Sequence, residues 1–232
     1  MAVVLLDCEG RMANCNCPLI RFFSQPAVWG TALVLTLCVA VGVFATGMAP
    51  EPDPIPRRWQ LTVEPGPLRI MNVETEGKGN VPYFYFTYTV TNNTGGDLLF
   101  TPSFDLASEK GDVMRSGRDV PADVTKKVLD SLNNPLLQDQ VSIVGLLLQG
   151  EDNAKDGLAV FPASDLKMSD LAIYGAGFSG ETRTIEVRNP TSGAMDKVTL
   201  RKSLMIRYAM PGEIRGQGSQ PFPVAEKRWI MR

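Results

Sequence analysis

The sequence predicts a mainly β domain, a β-sandwich with a short helical insertion, preceded by one N-terminal transmembrane helix. Three observations carry that expectation. Residues 83–91 read YFYFTYTVT, a strict alternation of aromatic and β-branched types. Many further short apolar runs are separated by Gly, Pro and Asn turns, the pattern of stacked antiparallel sheets. Residues 27–48, AVWGTALVLTLCVAVGVFATGM, contain no charge.

The segments follow in order. Residues 1–26 form a tail that carries Arg11 and Arg21. As a helix, residues 27–48 would reach about 33 Å, enough for a hydrocarbon core of about 30 Å. Trp29 lies at one end, where amphipathic rings settle. A cleavable signal peptide ending near Val43-Phe44-Ala45 is the rival reading. The apolar stretch is long for that, and an uncleaved anchor is favoured. Arg11, Arg21 and the amino terminus precede the span and Arg57 and Arg58 follow it, and Arg21, the nearest of the four, puts the N-terminus in the cytoplasm. All four cysteines, Cys8, Cys15, Cys17 and Cys38, fall in the first 38 residues. Free thiols on the reducing side and none beyond agree with that orientation. Their spacing fits no zinc or redox motif, and the residues before Cys8 and Cys38 do not fit a lipoprotein signal.

Residues 49–58, APEPDPIPRR, place proline at 50, 52, 54 and 56. Proline at every second position forbids helix and favours polyproline II, a stiff spacer of up to roughly 30 Å. Residues 59–232 then form the extracytoplasmic domain.

Within it, Trp59–Val63 and Pro67–Thr75 alternate, with Leu68 and Ile70 on one side and Arg69, Met71 and Val73 on the other. On the strongest strand Phe84, Phe86, Tyr88 and Val90 face one way and Tyr83, Tyr85, Thr87, Thr89 and Thr91 the other. Asn92–Gly96 supplies a turn. Leu98–Leu106 is broken by Pro102, and Glu109–Asp112 turns again. Later strands are expected at 143–149, 158–162, 170–174, 183–188, 197–209 and 224–231, with Val198, Leu200, Leu204, Ile206 and Tyr208 on one face of the long one.

One helix interrupts. Asp119 as cap, Pro121 in the first turn, and Val124, Val128, Leu129 and Leu132 at helical spacing define it, and Asn133-Asn134-Pro135 ends it. Leu136–Gln140 fits either a second short helix or a loop. The excursion is expected to cover an open end or edge of the sandwich.

Composition narrows the chemistry. The chain has 23 Lys+Arg, 25 Asp+Glu and no histidine. Nucleic acid therefore meets no overall positive field. A Ser-His-Asp triad, a Cys-His dyad and a His-ligated zinc site are all excluded within this chain. Ser179 in Gly177-Phe178-Ser179-Gly180 falls short of a nucleophile elbow and is read as a turn. Glu151–Gly157 lacks the alternating ligands and distal Glu of a calcium loop and is read as a hairpin tip. Gly145, Gly150 and Gly157 are too widely spread for a phosphate loop. Asp105 with Asp170 is the carboxylate pair considered for hydrolysis. No catalytic, cofactor or metal residue is assigned, and no cofactor is expected.

The binding residues considered are Tyr83 and Tyr85, as a stacking platform, and Arg115 and Arg118, as part of a charged docking face with Asp119, Asp123, Lys126 and Lys127. The competing reading makes the tyrosines the covered side of a central strand and the charges a solvated helix face.

The run TVTNNTGGDLLFTPSFDLASEKGDV (89–113) resembles a theme of exported bacterial Ig-like domains, a strand, an Asn-rich turn, an apolar strand and a hairpin. The run DGLAVFPASDLKMSDLAIYG (156–175) is similar to their later strands. The whole chain resembles uncharacterised single-anchor exported bacterial proteins. The resemblance implies an Ig-like β-sandwich and a single-pass protein of the bacterial inner membrane with a periplasmic domain. It implies no activity, because its motifs are turn and core signals. The helical excursion departs from a plain Ig-like domain.

The functional expectation is a non-enzymatic binding or structural protein, held in the membrane by residues 27–48 and contacting a protein or cell-envelope partner. The alternatives are a carboxylate-based hydrolase or small-ligand-binding protein, and an accessory subunit of a membrane complex.

Overall fold

The computed structural model describes residues 49–55, 58–75, 77, 79–163, 166–214 and 220–232. The tail, the apolar span at 27–48 and its four cysteines lie outside the described residues. Among the described residues no helix is long and apolar enough to cross a membrane.

Ala49–Arg232 forms one compact unit. The fold is mainly β, two packed sheets, a small ribbon and a short helix, consistent with a β-sandwich. The first sheet has the order β1-β2-β8-β6: β1 (Thr62–Thr75), β2 (Gly79–Asn92), β8 (Gly150–Pro162) and β6 (Leu137–Gln138). The second has the order β10-β11-β9-β4-β5, with β12 on β11. Its strands are β4 (Ser103–Ser108), β5 (Val113–Arg115), β9 (Lys167–Ala176), β10 (Thr182–Arg188), β11 (Met195–Glu213) and β12 (Val224–Met231). A separate ribbon pairs β3 (Leu98–Phe100) with β7 (Gly145–Leu147). Pro102 separates β3 from β4, as its missing N–H requires.

The alternation of β2 decides what is buried. Phe84, Phe86, Tyr88 and Val90 enter the core between the sheets with Leu68, Ile70, Ala159 and Phe161. They meet Phe104, Leu106, Leu171, Ile173, Leu204, Ile206 and Tyr208 from the facing sheet. Phe86 and Phe104 pack edge to face at 5.0 Å, a favoured aromatic geometry. Two glycines are set by close approach. Gly157 sits opposite Tyr88, where a Cβ would come within 2.2 Å of the ring. Gly177 has φ +91° and packs on the Thr101 carbonyl, 2.4 Å from where a Cβ would sit.

Several sequence expectations need correction. Helix α1 (Ala122–Leu132) lies on the outer face of the first sheet, where Val124 and Val128 cover Val73, Tyr83, Tyr85, Leu158 and Val160. It was expected over an end or edge. The reason is the apolar outer face of β1, β2 and β8, which needs a second covering layer. The residues after α1 instead occupy the edge, Leu137–Gln138 pairing parallel with β8 at Asp156–Gly157. Asp119 is not the cap. It turns the chain at φ 61°, and Pro121 holds the N-cap position with no side-chain bond. Asn133 ends the helix in the left-handed conformation, as an asparagine can. Glu151–Gly157 is part of strand β8 and not a hairpin tip. Long β11 does not bury one continuous face. Leu204, Ile206 and Tyr208 are in the core, whereas Val198 is 40% exposed on a ribbon formed with β10.

The proline spacer touches the domain. The Asp53 amide donates to Glu181 Oε1 at 3.1 Å, and Lys202 Nζ lies 3.5 Å from the Asp53 carbonyl. The Arg183 guanidinium reaches the Glu51 carbonyl at 3.4 Å. These contacts hold the spacer to the sandwich at Glu51 and Asp53 and shorten the free reach expected for it.

Candidate docking surface

Tyr83 and Tyr85 are 3% and 4% exposed, sealed under α1, so their rings form no accessible platform. Burial holds the Tyr85 phenol above its ordinary pKa, partly offset by Arg69. Arg115 is exposed on β5, and its Nε lies 3.2 Å from Asp105 Oδ1. Arg118 is exposed three residues on, its amide donating to the Arg115 carbonyl. Arg115 and Arg118 are thus neighbours, while Tyr83 and Tyr85 form part of a different, buried layer.

The acids considered for hydrolysis are committed elsewhere. Asp105 is shared by Arg115 and by Arg232, whose Nη1 lies 3.4 Å from Asp105 Oδ2. Asp170 pairs with Arg207, which also reaches Glu226 Oε2 at 3.4 Å. Those carboxylates hold the Arg207 guanidinium above its ordinary pKa. In the sheet Asp105 stands opposite Tyr174, four positions along β9 from Asp170. Four residues of strand put the two acids ~13 Å apart along the chain, beyond the ~5–10 Å of a glycosidase pair. This face is a lattice of ion pairs.

A polar groove of about 430 Å³ opens between the C-terminal end of α1 and the first sheet, lined by Glu64, Thr87, Thr89, Leu132, Asn134 and Asp156. Glu64 and Asp156 flank Thr89 on the strands either side of it. Asp156 Oδ1 accepts the Thr89 hydroxyl at 2.6 Å.

The most distinctive surface is apolar. Leu99 pairs directly with Leu146 across the β3–β7 ribbon. Both point outward, 69% and 58% exposed. Val144 and Leu148 flank β7 at its two ends and are 47% and 44% exposed. The intervening Leu147 and the neighbouring Phe100 are fully buried and hold the ribbon on the core. Leu99 and Leu146, with Val144 and Leu148 beside them along the chain, make up an exposed aliphatic ridge.

Its rim is acidic. Asp97, Asp139, Glu151 and Asp152 surround it in sequence, and one cation reaches it, Lys155, whose Nζ donates to the Ile143 carbonyl at 3.3 Å. At Asp139 burial opposes ionisation, but the amides of Ser142 and Val141 outweigh it and hold the carboxyl below its ordinary pKa.

A buried polar hub shapes the ridge. Asn92, fully buried, donates from Nδ2 to the carbonyls of Gly96 and Leu147, both at 2.9 Å. Its Oδ1 accepts from the Thr94 amide at 3.1 Å and from Gln149 Nε2 at 3.0 Å. Gln149 in turn donates to the Gly96 carbonyl at 2.6 Å. Every polar atom of the buried amide is used, which makes the turn rigid.

Sequence reasoning missed this ridge. The signal was Leu146-Leu147-Leu148, since three consecutive leucines in a strand cannot all face one layer. Compared with protein families, curated proteins and solved structures, the chain matches none.

Proposed function

We propose that this chain is a membrane-anchored, extracytoplasmic binding or structural protein that works by protein contact through the β3–β7 ridge. Its 22-residue uncharged segment at 27–48 supports the anchor, and the cysteine distribution supports an extracytoplasmic domain. The resemblance of 89–113 and 156–175 supports an Ig-like sandwich in the bacterial periplasm, held at the inner membrane. The ridge carries the functional part. Aliphatic side chains held outward on a rigid turn suit a complementary apolar protein surface, and the acidic rim disfavours anionic lipid.

The alternative reading, a carboxylate-based hydrolase or small-ligand binder, would use the groove between Glu64 and Asp156. Asp156 there is tied to Thr89, and no histidine is available as a base. The contact reading is the better supported.

A photoactivatable side chain placed at Leu146 of the full chain, in its own membrane, tests it. The expected result is a discrete protein adduct at Leu146 and none at Lys126 on the exposed face of α1. Equal, diffuse labelling at both positions would contradict the reading.

A further inference from the structure

The chain enters the sandwich along one line. The Leu61 amide donates to the Phe178 carbonyl at 2.8 Å and the Gly180 amide to the Trp59 carbonyl at 3.0 Å, with Gln60 bridged to Ser179 between them. Further back, Asp53 meets Glu181 and Lys202, and Glu51 meets Arg183. From residue 61 back to residue 51 the chain thus follows residues 178 to 183, toward the outer end of β10. Glu51 stands three residues after Met48, the last residue of the uncharged segment. Three residues of backbone reach at most ~10 Å.

Beyond Glu181, β10 and the first half of β11 form an arm that pairs only with itself, from Thr182↔Arg201 to Arg188↔Met195. From Thr182 to Thr199 only Ile185 and Asn189 are partly buried, so no layer covers either face. The spacer meets the face of Arg183, Ile185 and Val187. The opposite face carries Arg188, Lys197 and Arg201 against one acid, Glu186. Among the described residues none of these three cations has an ion-pair partner. Elsewhere in the same sheet Arg115, Arg207, Arg228 and Arg232 all have one. The turn at 189–194 is uncharged, and Asp196 beside it is held by Asn189 Nδ2 at 2.9 Å. Val187, Met195 and Val198 stand exposed around that turn.

Resting on the anchor of the proposed function, we propose that the outer half of this arm, residues 187–198, seats in the headgroup layer of the bilayer that holds the chain. The path of the spacer chooses this occupant. It runs tipward beside β10, and only ~10 Å of backbone separates Glu51 from the end of the span. Arg188 and Lys197 reach anionic lipid phosphates from one face, while Val187 and Met195 lie at the apolar boundary. Cations on long stems beside exposed apolar side chains are the pattern of segments that lie in a membrane interface.

The test uses the full chain with Cys8, Cys15, Cys17 and Cys38 changed to alanine and a fluorophore on Thr191→Cys. It is reconstituted in vesicles of equal phosphatidylcholine and phosphatidylglycerol that carry a nitroxide on a headgroup. Flotation after a high-salt wash reports the anchor, and quenching reports the arm. The expected result is flotation, with quenching about threefold or more above that of a fluorophore on Lys126→Cys. Arg188→Gln with Lys197→Gln should lower the ratio of seated to free arm roughly tenfold, as should vesicles of phosphatidylcholine alone. Both side chains are exposed, so the fold survives their replacement. In a chain that floats, quenching no stronger than at Lys126 overturns the proposal and leaves the anchor standing. Quenching indifferent to both charge tests also overturns it. So does capture of a protein instead of lipid by a photoactivatable group at Thr191 in native membranes. A chain that does not float removes the anchor and this proposal together.

Discussion

The buried side-chain amide of Asn92 donates to the backbone carbonyl of Leu147 at 2.9 Å, tying the end of β2 to the ribbon that carries the exposed leucines. The contact links the core to the ridge. Leu147 points inward and its neighbours Leu146 and Leu148 outward, so the same bond that closes the turn orients the apolar surface.

Asn92→Ala should therefore lower stability by about 1–3 kcal/mol, because the Leu147 carbonyl and the Gln149 amide each lose a partner. Denaturant unfolding gives the energy. Hydrogen exchange should show the loss concentrated at 92–100 and 144–150, ahead of the sandwich core.

Lys202 and Glu181 form a buried ion pair at 2.9 Å, with side chains 3% and 11% exposed. Removing one partner leaves a charge without compensation, so Lys202→Met alone should cost about 3–5 kcal/mol. Lys202→Met with Glu181→Leu should recover most of that. The double variant should still free the spacer at Asp53, whose amide uses the Glu181 carboxylate, and proteolysis near residue 53 should then speed up.

Tyr85→Ala should destabilise the protein by about 3 kcal/mol, in the range for truncating a large buried aromatic. The damage should appear in α1, as faster amide exchange across 122–132, because Tyr85 is part of the seat on which Val124 and Val128 rest. An accessible stacking residue would show the opposite, lost binding with a stable fold.

The alkaline limb of stability follows from two tyrosines. Burial raises the phenols of Tyr88 and Tyr208 well above the ordinary value of 10.0. A folded-state value above the unfolded one means stability is intact below about pH 10 and is lost as pH rises beyond it. Tyr208 Oη donates to the Gly66 carbonyl at 3.3 Å, while Tyr88 Oη is buried without a protein partner. Tyr88→Phe should accordingly be neutral or up to about 1 kcal/mol stabilising at pH 7, and should shrink the loss above pH 10. Thermal unfolding at pH 7 and pH 11 measures both.

Much of the sandwich was legible because strand alternation reports burial directly. The two faces of β2 were assigned residue by residue, and β12 was placed at its observed limits. The helix was legible from its own apolar spacing, but its seat was not. Alternation already favours Tyr83 and Tyr85 as the covered side of a central strand over an open platform, but what covers them depends on Val124 and Val128, in a later element. Acidic Glu151–Asp156 resembled a loop because it lacks apolar alternation. Its two ends pair with β2, Lys155 with Val90 and Gly150 with Asn92, and residues 151–154 fill the register shift between them. The ridge was the hardest to see. A lone exposed leucine signals nothing, and only the pairing of Leu99 with Leu146 brings two separate segments into one surface.

The ridge is either used as a contact surface or merely tolerated. Leu99→Lys with Leu146→Glu, a cross-strand pair of opposite charge made in the full chain and assayed in its own membrane, separates the two most directly. Both side chains are solvent-facing, so the unfolding free energy should stay within about 0.5 kcal/mol of the parent. Protein adducts formed from a photoactivatable group at neighbouring Leu148 should disappear. Adducts of unchanged identity and yield from a normally stable double variant would contradict the account.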